Sequence, residues 1–182
     1  MPVENNRNRL LELLRAYSLR WPNERMVDLL IGFVQQQPDC FERTCFKDGH
    51  VTGSAWIVCP NRHRVLLTHH RKLQKWLQLG GHSDGDANTL NVAQREAEEE
   101  SGLRVKPIHD AVFDIDIHTI PARGEDPEHK HYDVRFLFEA DDRAPLTISS
   151  ESNDLTWISL KNLSTVTSEE SILRMARKTP HR

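Results

Sequence analysis

The sequence predicts an α/β (α+β) fold in which helices cover a mixed sheet, with a helical hairpin in front of it. Two apolar stripes at helical spacing lie before residue 37, and strand-like segments begin at about Thr52. One further helix lies between these strands, and another follows the last of them. Strands interspersed with helices are typical of a sheet that is covered by helices.

The N-terminal hairpin is predicted from residues 8–17 and about 26–36, which carry apolar side chains three and four positions apart. Trp21-Pro22 separates the two stretches, and Asn23 is a candidate for the N-cap of the second helix. We predict that residues 1–45 form a helical extension and that residues 46–182 form the main domain. Such a hairpin packs against the main domain or contacts a second copy of the chain. The sequence leaves both alternatives, and therefore a homodimer, open.

The main domain is predicted to begin with a β-hairpin, because residues 55–59 and 64–68 flank the turn-forming sequence Pro60-Asn61-Arg62-His63. Further strands are predicted at residues 76–79, 111–118, 132–138 and 155–158. Residues 132–138 alternate apolar and polar side chains, as a half-buried strand does. Helices are predicted from about Thr89 to Ser101 and from Ser168, where Ser168 and Ser171 make only a partial capping box.

The composition narrows the class of partner. A chain of 182 residues with a net charge of −3 and no basic stripe is not typical of a nucleic-acid-binding protein. No apolar run is long enough to span a bilayer, and residues 1–6 contain no apolar signal core. Cys40, Cys45 and Cys59 lack paired spacing and are interpreted as free thiols. We expect a cytoplasmic protein that binds a small molecule, with no membrane partner.

Three glutamates are predicted to share one helix face, because Glu96 lies three and four residues before Glu99 and Glu100. Like charges at this spacing destabilise a helix, more so near its C-terminus, where the dipole disfavours anions. A sequence that retains such a cluster favours a cation there, and clustered carboxylate oxygens suit Mg²⁺ or Mn²⁺. The ordinary alternative, for residues 98–100 alone, is a solvated acidic face.

Glycines on both sides of this segment favour a site over a solvated face. Gly80 and Gly81 allow the bare backbone to approach a metal ion or a phosphate closely. Gly102 suits the left-handed residue that ends a helix, and Leu103 can pack back against it.

Residues 81–103 resemble the Nudix box, which is a glycine, five residues, a glutamate, seven residues, and then Arg-Glu-aliphatic-any-Glu-Glu-any-Gly-aliphatic. Ala97 fills the first aliphatic position. One position departs from the pattern: Ala87, beside Asp86, stands where the first glutamate is expected, which leaves open how Arg95 is anchored. Seven positions are in register: Gly81, Arg95, Glu96, Glu99, Glu100, Gly102 and Leu103.

The resemblance implies an αβα sandwich from about Thr52 onwards and Mg²⁺- or Mn²⁺-dependent hydrolysis of a diphosphate linkage. The implied substrate is a nucleoside diphosphate linked to another group, or a nucleoside triphosphate. Glu99 and Glu100 would be metal ligands, and Glu96 would be a ligand or the base that activates water. Many members add a carboxylate before the last strand, where Glu151 lies. The implied catalytic residues are Arg95, Glu96 and Glu99, and the implied metal ligands are the carbonyl of Gly80, Glu96, Glu99, Glu100 and Glu151.

Several residues are candidates for contacts with the substrate. His82 directly follows the glycines, and the polar loop at residues 120–130 lies where Nudix enzymes vary in specificity. A zinc site among the histidines is an alternative, which we disfavour because no cysteine lies at a useful spacing. The predicted substrate-binding residues are Gly81, His82, His118, His131 and Arg135.

Two other functions remain alternatives. An isopentenyl-diphosphate isomerase has a related fold but requires a catalytic cysteine in a strand before the box, and Cys59, next to Pro60, is poorly placed. A non-catalytic Nudix-like domain would bind a nucleotide or a partner. Ala87 favours that interpretation, whereas the retained glutamates favour an enzyme.

Overall fold

A computed structural model describes residues 2–150 and 152–181 of the chain. The elements in these residues, in chain order, are α1 (Pro2–Arg20), α2 (Met26–Gln36), β1 (His50–Val58), β2 (Arg64–His70), β3 (Lys75–Leu77), β4 (Leu79–His82), α3 (Thr89–Ser101), β5 (Lys106–Pro107), β6 (Asp114–Ile120), β7 (His129–Glu139), β8 (Ser152–Ser159), a 3-10 helix (Leu160–Thr165) and α4 (Glu170–Lys178).

The sheet is organised around the parallel pair of β1 and β7, which are in register from His50 opposite His131 to Val58 opposite Glu139. On its other edge, β1 pairs with β4 along its first half and with β2 at its end, both antiparallel. The strands β3 and β8 pair with β2, while β5 and β6 pair with β7, again antiparallel. The predicted mixed sheet is therefore confirmed.

Helices cover both faces of this sheet. Side chains alternate between the two faces of a strand. In β1, Val51, Ala55 and Ile57 therefore belong to a core shared with α1, α2 and α3, whereas Trp56 and Val58 belong to a second core with Ile172 and Met175 of α4. The predicted αβα sandwich is confirmed.

The N-terminal hairpin packs against the main domain, the first of the two alternatives. Leu14 of α1 and Leu30 of α2 are fully buried, and both belong to the same core as Val51 and Val134 of the sheet. Neither the domain boundary after residue 45 nor a homodimer is tested by this packing, and both stay predictions. None of the helices in residues 2–150 and 152–181 has the length and apolarity needed to cross a membrane.

The two expected helix caps are wrong. Arg25, not Asn23, occupies the N-cap of α2 and makes no side-chain cap, because backbone bonds such as Glu24 N–H to the Trp21 carbonyl already form a turn there. The N-cap of α4 is Glu169, not Ser168; it makes no side-chain cap, and its amide donates to Thr167 Oγ1 at 3.2 Å.

The observed strand boundaries differ from the predicted ones where pairing with a neighbouring strand continues further along the chain. The first strand begins at His50, five residues before the predicted start, because its pairing with β7 continues to that residue. The short β5 and the 3-10 helix were not predicted.

Replacing Leu30 by alanine tests whether the hairpin folds together with the sheet. Leu30→Ala should lower the free energy of unfolding of the whole chain by about 2–5 kcal/mol, because it leaves a cavity in the shared core. Leu29→Ala, on the same helix but with Leu29 67% exposed, should change it by less than about 0.5 kcal/mol. Chemical denaturation followed by circular dichroism and tryptophan fluorescence measures both. If Leu30→Ala leaves the unfolding of the sheet unchanged, the hairpin is not part of the same cooperative unit.

Candidate functional site

Helix α3 carries the glutamate cluster, and its ends are fixed by local interactions. The side chain of Asn88 accepts a hydrogen bond from the Asn91 amide at 3.3 Å at the start of the helix. Gly102 ends it with φ 71°, and its amide donates to the Glu98 carbonyl. The predicted left-handed C-cap is therefore confirmed. Because the apolar face of α3 is buried on the sheet, the glutamates emerge beside the strands that it covers.

Two glycines, Gly53 and Gly81, let α3 approach the sheet at backbone distance. A Cβ on Gly53 would lie 2.7 Å from the Thr89 carbonyl oxygen, and a Cβ on Gly81 would overlap the Glu96 carboxylate. A Cβ on Gly80 would overlap Ser54 of the neighbouring strand. We call this region, formed by Gly53, Gly80 and Gly81 under α3, the glycine contact. It brings the Glu96 side chain directly onto the backbone of β4.

Arg95 fixes Glu96 against β4. Its Nη2 donates to Glu96 Oε1 at 2.8 Å and to the carbonyl oxygen of His82 at 3.0 Å. Burial raises the pKa of Glu96, and the bond from Arg95 offsets part of this rise. The same bond raises the pKa of Arg95. The pair is thus oriented by a strand carbonyl, with Glu96 less acidic than an exposed glutamate.

The other glutamates of α3 differ in their surroundings. Glu100 accepts a hydrogen bond from the Gly80 amide at 3.2 Å, so its carboxylate also lies at the glycine contact. Glu99 is exposed. Glu98 turns away toward Arg104, at 3.7 Å, and accepts from the Val105 amide. Glu96, Glu99 and Glu100 therefore form the group beside β4, and Glu98 is separate from it.

This group fits a hard divalent cation by its chemistry. Carboxylate oxygens and backbone carbonyls are the ligands that Mg²⁺ and Mn²⁺ prefer. The three carboxylates do not all lie within 4.8 Å of one another in the described part of the chain. Since Glu96 is bound by Arg95 and Glu100 by the Gly80 amide, an ion held by all three would replace part of these contacts.

The opposite face of the sheet carries five histidines, which we call the histidine cluster: His50, His82, His118, His129 and His131. Neighbouring ring centroids lie 4.7–5.6 Å apart. Gly81 faces α3, so its neighbour His82 projects from the other face. The structure thus brings together three of the predicted substrate-binding residues. His50 is not among the residues predicted from the sequence, although its alternation with the polar Thr52 and Ser54 is a usable signal.

Arg135 lies in the core, which differs from its predicted contact with a substrate. It is 2% exposed, and its guanidinium donates to Asp133 at 2.7 Å and to Asp114 at 3.2 Å, with Asp116 at 3.4 Å. Asp133 in turn accepts from Thr52, Ser54 and Gln78. Three aspartates therefore occupy this arginine, and its role here is structural.

Two concave surfaces lie near these groups. A groove of about 880 Å³ between α2 and the edge formed by β6 and β7 is lined by residues that include Phe33, Tyr132 and Lys130, and none of the α3 glutamates lines it. A shallower depression of about 350 Å³ is lined by Arg95, Glu98 and Glu99, together with Asn91 and Gln94. The depression is the one that adjoins the glutamate group.

Comparison with known proteins agrees with this geometry. Residues 49–177 match the family model described as the NUDIX domain. This match covers more than half of the chain. The chain belongs to the Nudix family. The predicted assignment to the Nudix hydrolases, and with it an enzyme, is confirmed.

Solved structures with the Nudix fold extend the comparison. A NUDIX-family hydrolase from Clostridium perfringens is similar over 71% of this chain and 95% of its own, with 26% identity and a TM-score of 0.55. An Ap4A hydrolase from C. elegans shares the fold, with 16% identity, a TM-score of 0.56 and similarity over 70% of this chain and 93% of its own. The E. coli dihydroneopterin triphosphate pyrophosphohydrolase also shares it, with 14% identity, a TM-score of 0.54 and similarity over 70% of this chain and 92% of its own. No curated protein matches the chain.

Ala87, the departure from the Nudix box, is part of the core. It is 2% exposed and packs in the same cluster as Ala93 and Ala97. The neighbouring Asp86 accepts a hydrogen bond from the Asn88 amide at 2.8 Å and so shapes the turn before α3. The His82 carbonyl and Glu96 are the observed partners of Arg95. The arginine of this Nudix box is therefore anchored to β4.

Two further residues considered from the sequence are Glu151 and Cys59. Glu151 lies outside the described residues, so its predicted role as a ligand stays a prediction. Cys59, the residue considered for an isomerase, is fully buried, and its Sγ donates to Asn61 Oδ1 in the turn between β1 and β2.

The buried ion pairs of this Nudix domain predict a pH-dependent stability. Burial raises the pKa of Asp116, but the bond from His118 and the charges of Arg135 and Arg174 outweigh it and lower the pKa to about 2. A depressed folded-state pKa stabilises the fold above the unfolded value near 4, and this stabilisation is lost as the pH falls toward 2. Asp116→Asn should therefore lower the free energy of unfolding by about 2 kcal/mol at pH 7, with a smaller difference below pH 4.

Chemical denaturation of wild type and Asp116→Asn at pH 7, 5 and 3 measures this difference. Asp110→Asn, at an exposed position paired only with Arg9 among the described residues, is the control and should change stability little at any of these pH values. A difference for Asp116→Asn that is constant between pH 7 and pH 3 would assign the effect to packing instead of charge.

Proposed function

We propose that this Nudix domain hydrolyses a phosphoanhydride bond, with Mg²⁺ or Mn²⁺ bound beside the glycine contact. The substrate would be a nucleoside diphosphate linked to another group, or a nucleoside triphosphate. One observation carries the proposal: Glu96 and Glu100 rest on the backbone of Gly81 and Gly80, with the exposed Glu99 between them in the sequence. An acidic helix face that served only for solubility would not need this contact with bare strand backbone.

The residues of α3 have distinct roles in this proposal. Glu96, Glu99 and Glu100 would hold the ion together with the Gly80 carbonyl, and Glu151 is the proposed further ligand. A bound Mg²⁺ would neutralise and polarise the oxygens of the diphosphate. Arg95 positions Glu96, because it ties that carboxylate to the His82 carbonyl.

The base that accepts the proton of the attacking water is assigned to Glu96 or Glu99. Burial raises the pKa of Glu96, which makes it a better proton acceptor than an exposed carboxylate. Water attacks one phosphorus atom, a new P–O bond forms, and the bond to the bridging oxygen breaks. Gly81 stays a candidate for contact with the phosphates, since a backbone without a Cβ permits their approach.

The choice of substrate class is supported by two proteins of the same fold. They are named for acting on Ap4A and on dihydroneopterin triphosphate, and both compounds contain phosphoanhydride bonds. At 16% and 14% identity they support the type of bond and not the group attached to it. The cytoplasmic location and the homodimer stay predictions.

Substitution of the glutamates tests the proposed metal group. Wild type should hydrolyse at least one member of a panel of nucleoside triphosphates and nucleoside diphosphate conjugates when Mg²⁺ or Mn²⁺ is added. Glu99→Gln and Glu100→Gln should each lower kcat by about 100-fold or more, because an amide oxygen carries no charge to hold the ion. Glu98→Gln is the matched control on the same helix and should stay within about threefold of wild type. Steady-state formation of the nucleotide products, separated by chromatography, measures these rates.

The panel also separates an enzyme from a binding module. Inactivity of wild type on every member, or full activity of Glu99→Gln and Glu100→Gln, would contradict the hydrolase proposal. Calorimetry on the same nucleotides would then show whether the domain binds them in a metal-dependent manner without turnover.

Gly81→Ala tests whether the glycine contact is needed for catalysis. The added Cβ would overlap the Glu96 carboxylate and displace it, and a displacement of about 1 Å can lower a rate about 100-fold. We expect a loss of kcat of that order. Gly32→Ala is the control, because the nearest atom to its Cβ is Gln36 Nε2 at 3.8 Å. Equal activity of Gly81→Ala and wild type would show that the position of Glu96 is not critical.

A further inference from the structure

Sheet pairing places three histidines close together on the face of the sheet opposite α3. His50 of β1 lies directly opposite His131 of β7, and His82 of β4 lies opposite Thr52, two residues along β1. Paired residues, and residues two apart on a strand, project from the same face. His50, His82 and His131 therefore project to one point, although they are separated along the chain.

The nitrogen atoms of these three side chains are close enough to share one ion. One ligand atom from each lies within 4.8 Å of the others, and they are the only such group of three found among the described His, Cys, Asp and Glu residues. The ring centroids of His50 and His131 are 4.7 Å apart, and His82 is 5.1 Å from each.

Burial of histidine nitrogens without hydrogen-bond partners destabilises the fold unless a ligand binds them. His50 is 1% exposed; in the described part of the chain its ring approaches the Cys45 backbone, but neither ring nitrogen makes a well-formed hydrogen bond. Nε2 of His131 is also buried without a hydrogen-bond partner there. Buried polar groups almost always have partners, so unsatisfied nitrogens that face one another indicate a ligand that the chain itself does not supply.

Two of the three histidines, His50 and His131, favour the protonation state that binds metals. Burial, together with the charges of the neighbouring histidines, lowers the pKa of His50 to about 4 and that of His131 to about 2. Both imidazoles are therefore neutral at pH 7, which is the form that coordinates a metal ion.

Two neighbouring residues, His129 and Arg43, affect how a cation could bind to the three histidines. His129 Nδ1 lies 2.7 Å from the Pro127 carbonyl and donates its proton to that oxygen. In opposition, Arg43 contacts His82 Nδ1 at 3.1 Å. The Arg43 side chain is 58% exposed and lies 3.5 Å from Asp84, so it can leave His82 for that carboxylate.

We propose that His50, His82 and His131 bind a divalent ion of the Zn²⁺ type, at a site separate from the glutamate group on the other face of the sheet. Imidazole nitrogens suit zinc and its neighbours in the transition series, whereas Mg²⁺ requires oxygen ligands. Three histidines leave one position of a tetrahedral ion for water or an anionic oxygen. Zinc is disfavoured from the sequence because no cysteine lies at a useful spacing, but the strand pairing supplies a third histidine as the ligand.

Co²⁺ absorption tests the site, because a tetrahedral nitrogen site gives much stronger visible bands than an octahedral oxygen site. The full chain is freed of metal with a chelator and titrated with Co²⁺ at pH 7.5. We expect strong bands that saturate at one equivalent in wild type, in Glu99→Gln and in the control His63→Gln, and that Zn²⁺ abolishes. His131→Gln and His82→Ala should bind on the order of 100-fold more weakly, or not at all, as expected for loss of a ligand.

Each outcome decides the proposal independently of hydrolysis. Weak octahedral bands alone in wild type, or unchanged strong bands in both His131→Gln and His82→Ala, would overturn it. Strong bands lost in Glu99→Gln but kept in the histidine variants would also overturn it, because the ion would belong to the glutamate group. Circular dichroism of the metal-free proteins checks folding. If His131 proves necessary for folding, the His82 variant decides the result.

Discussion

The close approach of α3 to Gly53 of β1 and Gly81 of β4 is the constraint on which the proposed site depends. At Gly53 the helix backbone lies so close that a Cβ would come within 2.7 Å of the Thr89 carbonyl. The same approach places the Glu96 carboxylate on Gly81 and the Glu100 carboxylate at the Gly80 amide. It also lets Arg95 reach the His82 carbonyl. The backbone of β4 therefore anchors Arg95, because Ala87 stands where the Nudix box has a glutamate.

The other face of the sheet is held by buried charge. Asp114 is fully buried and contacts Arg135, Arg174 and Lys178, while Lys178 also contacts Glu24 at 2.6 Å beside α1. This network connects the first helix, the centre of the sheet and the last helix. Removing one partner of such a network leaves an uncompensated buried charge, which is strongly destabilising. Burial and the nearby Asp114 charge raise the pKa of Tyr17, so this hydroxyl stays protonated and can donate to Glu24.

Local signals in the sequence predicted the helix that carries the glutamates. The bounds Thr89–Ser101 agree with the prediction because Asn88 and Gly102 end the helix through contacts within a few residues. The β1–β2 hairpin was predicted for the same reason, since its turn is encoded in residues 60–63. The αβα arrangement followed from the resemblance and from the alternation of elements.

Long-range pairing is what the sequence did not reveal. Arg135 lies on an alternating strand, and only the register with β6 shows that three aspartates surround it. His50 joined the histidine cluster because β1 runs parallel to β7, a pairing between residues about 80 positions apart. Spacing within one segment carries no information about such pairs. The same limit explains why the sequence, in which no cysteine lies at a useful spacing from the histidines, disfavoured a zinc site.

The most direct test of the account is the location of bound manganese. Crystals of the chain grown with Mn²⁺ and a non-hydrolysable diphosphate analogue, measured at the manganese absorption edge, would give an anomalous signal at each bound ion. The account predicts a signal coordinated by Glu96, Glu99 and Glu100 next to Gly80, with the diphosphate bound to the ion. A signal only at the histidine cluster, or a diphosphate bound away from α3, would contradict the assignment of the glutamate group as the catalytic centre.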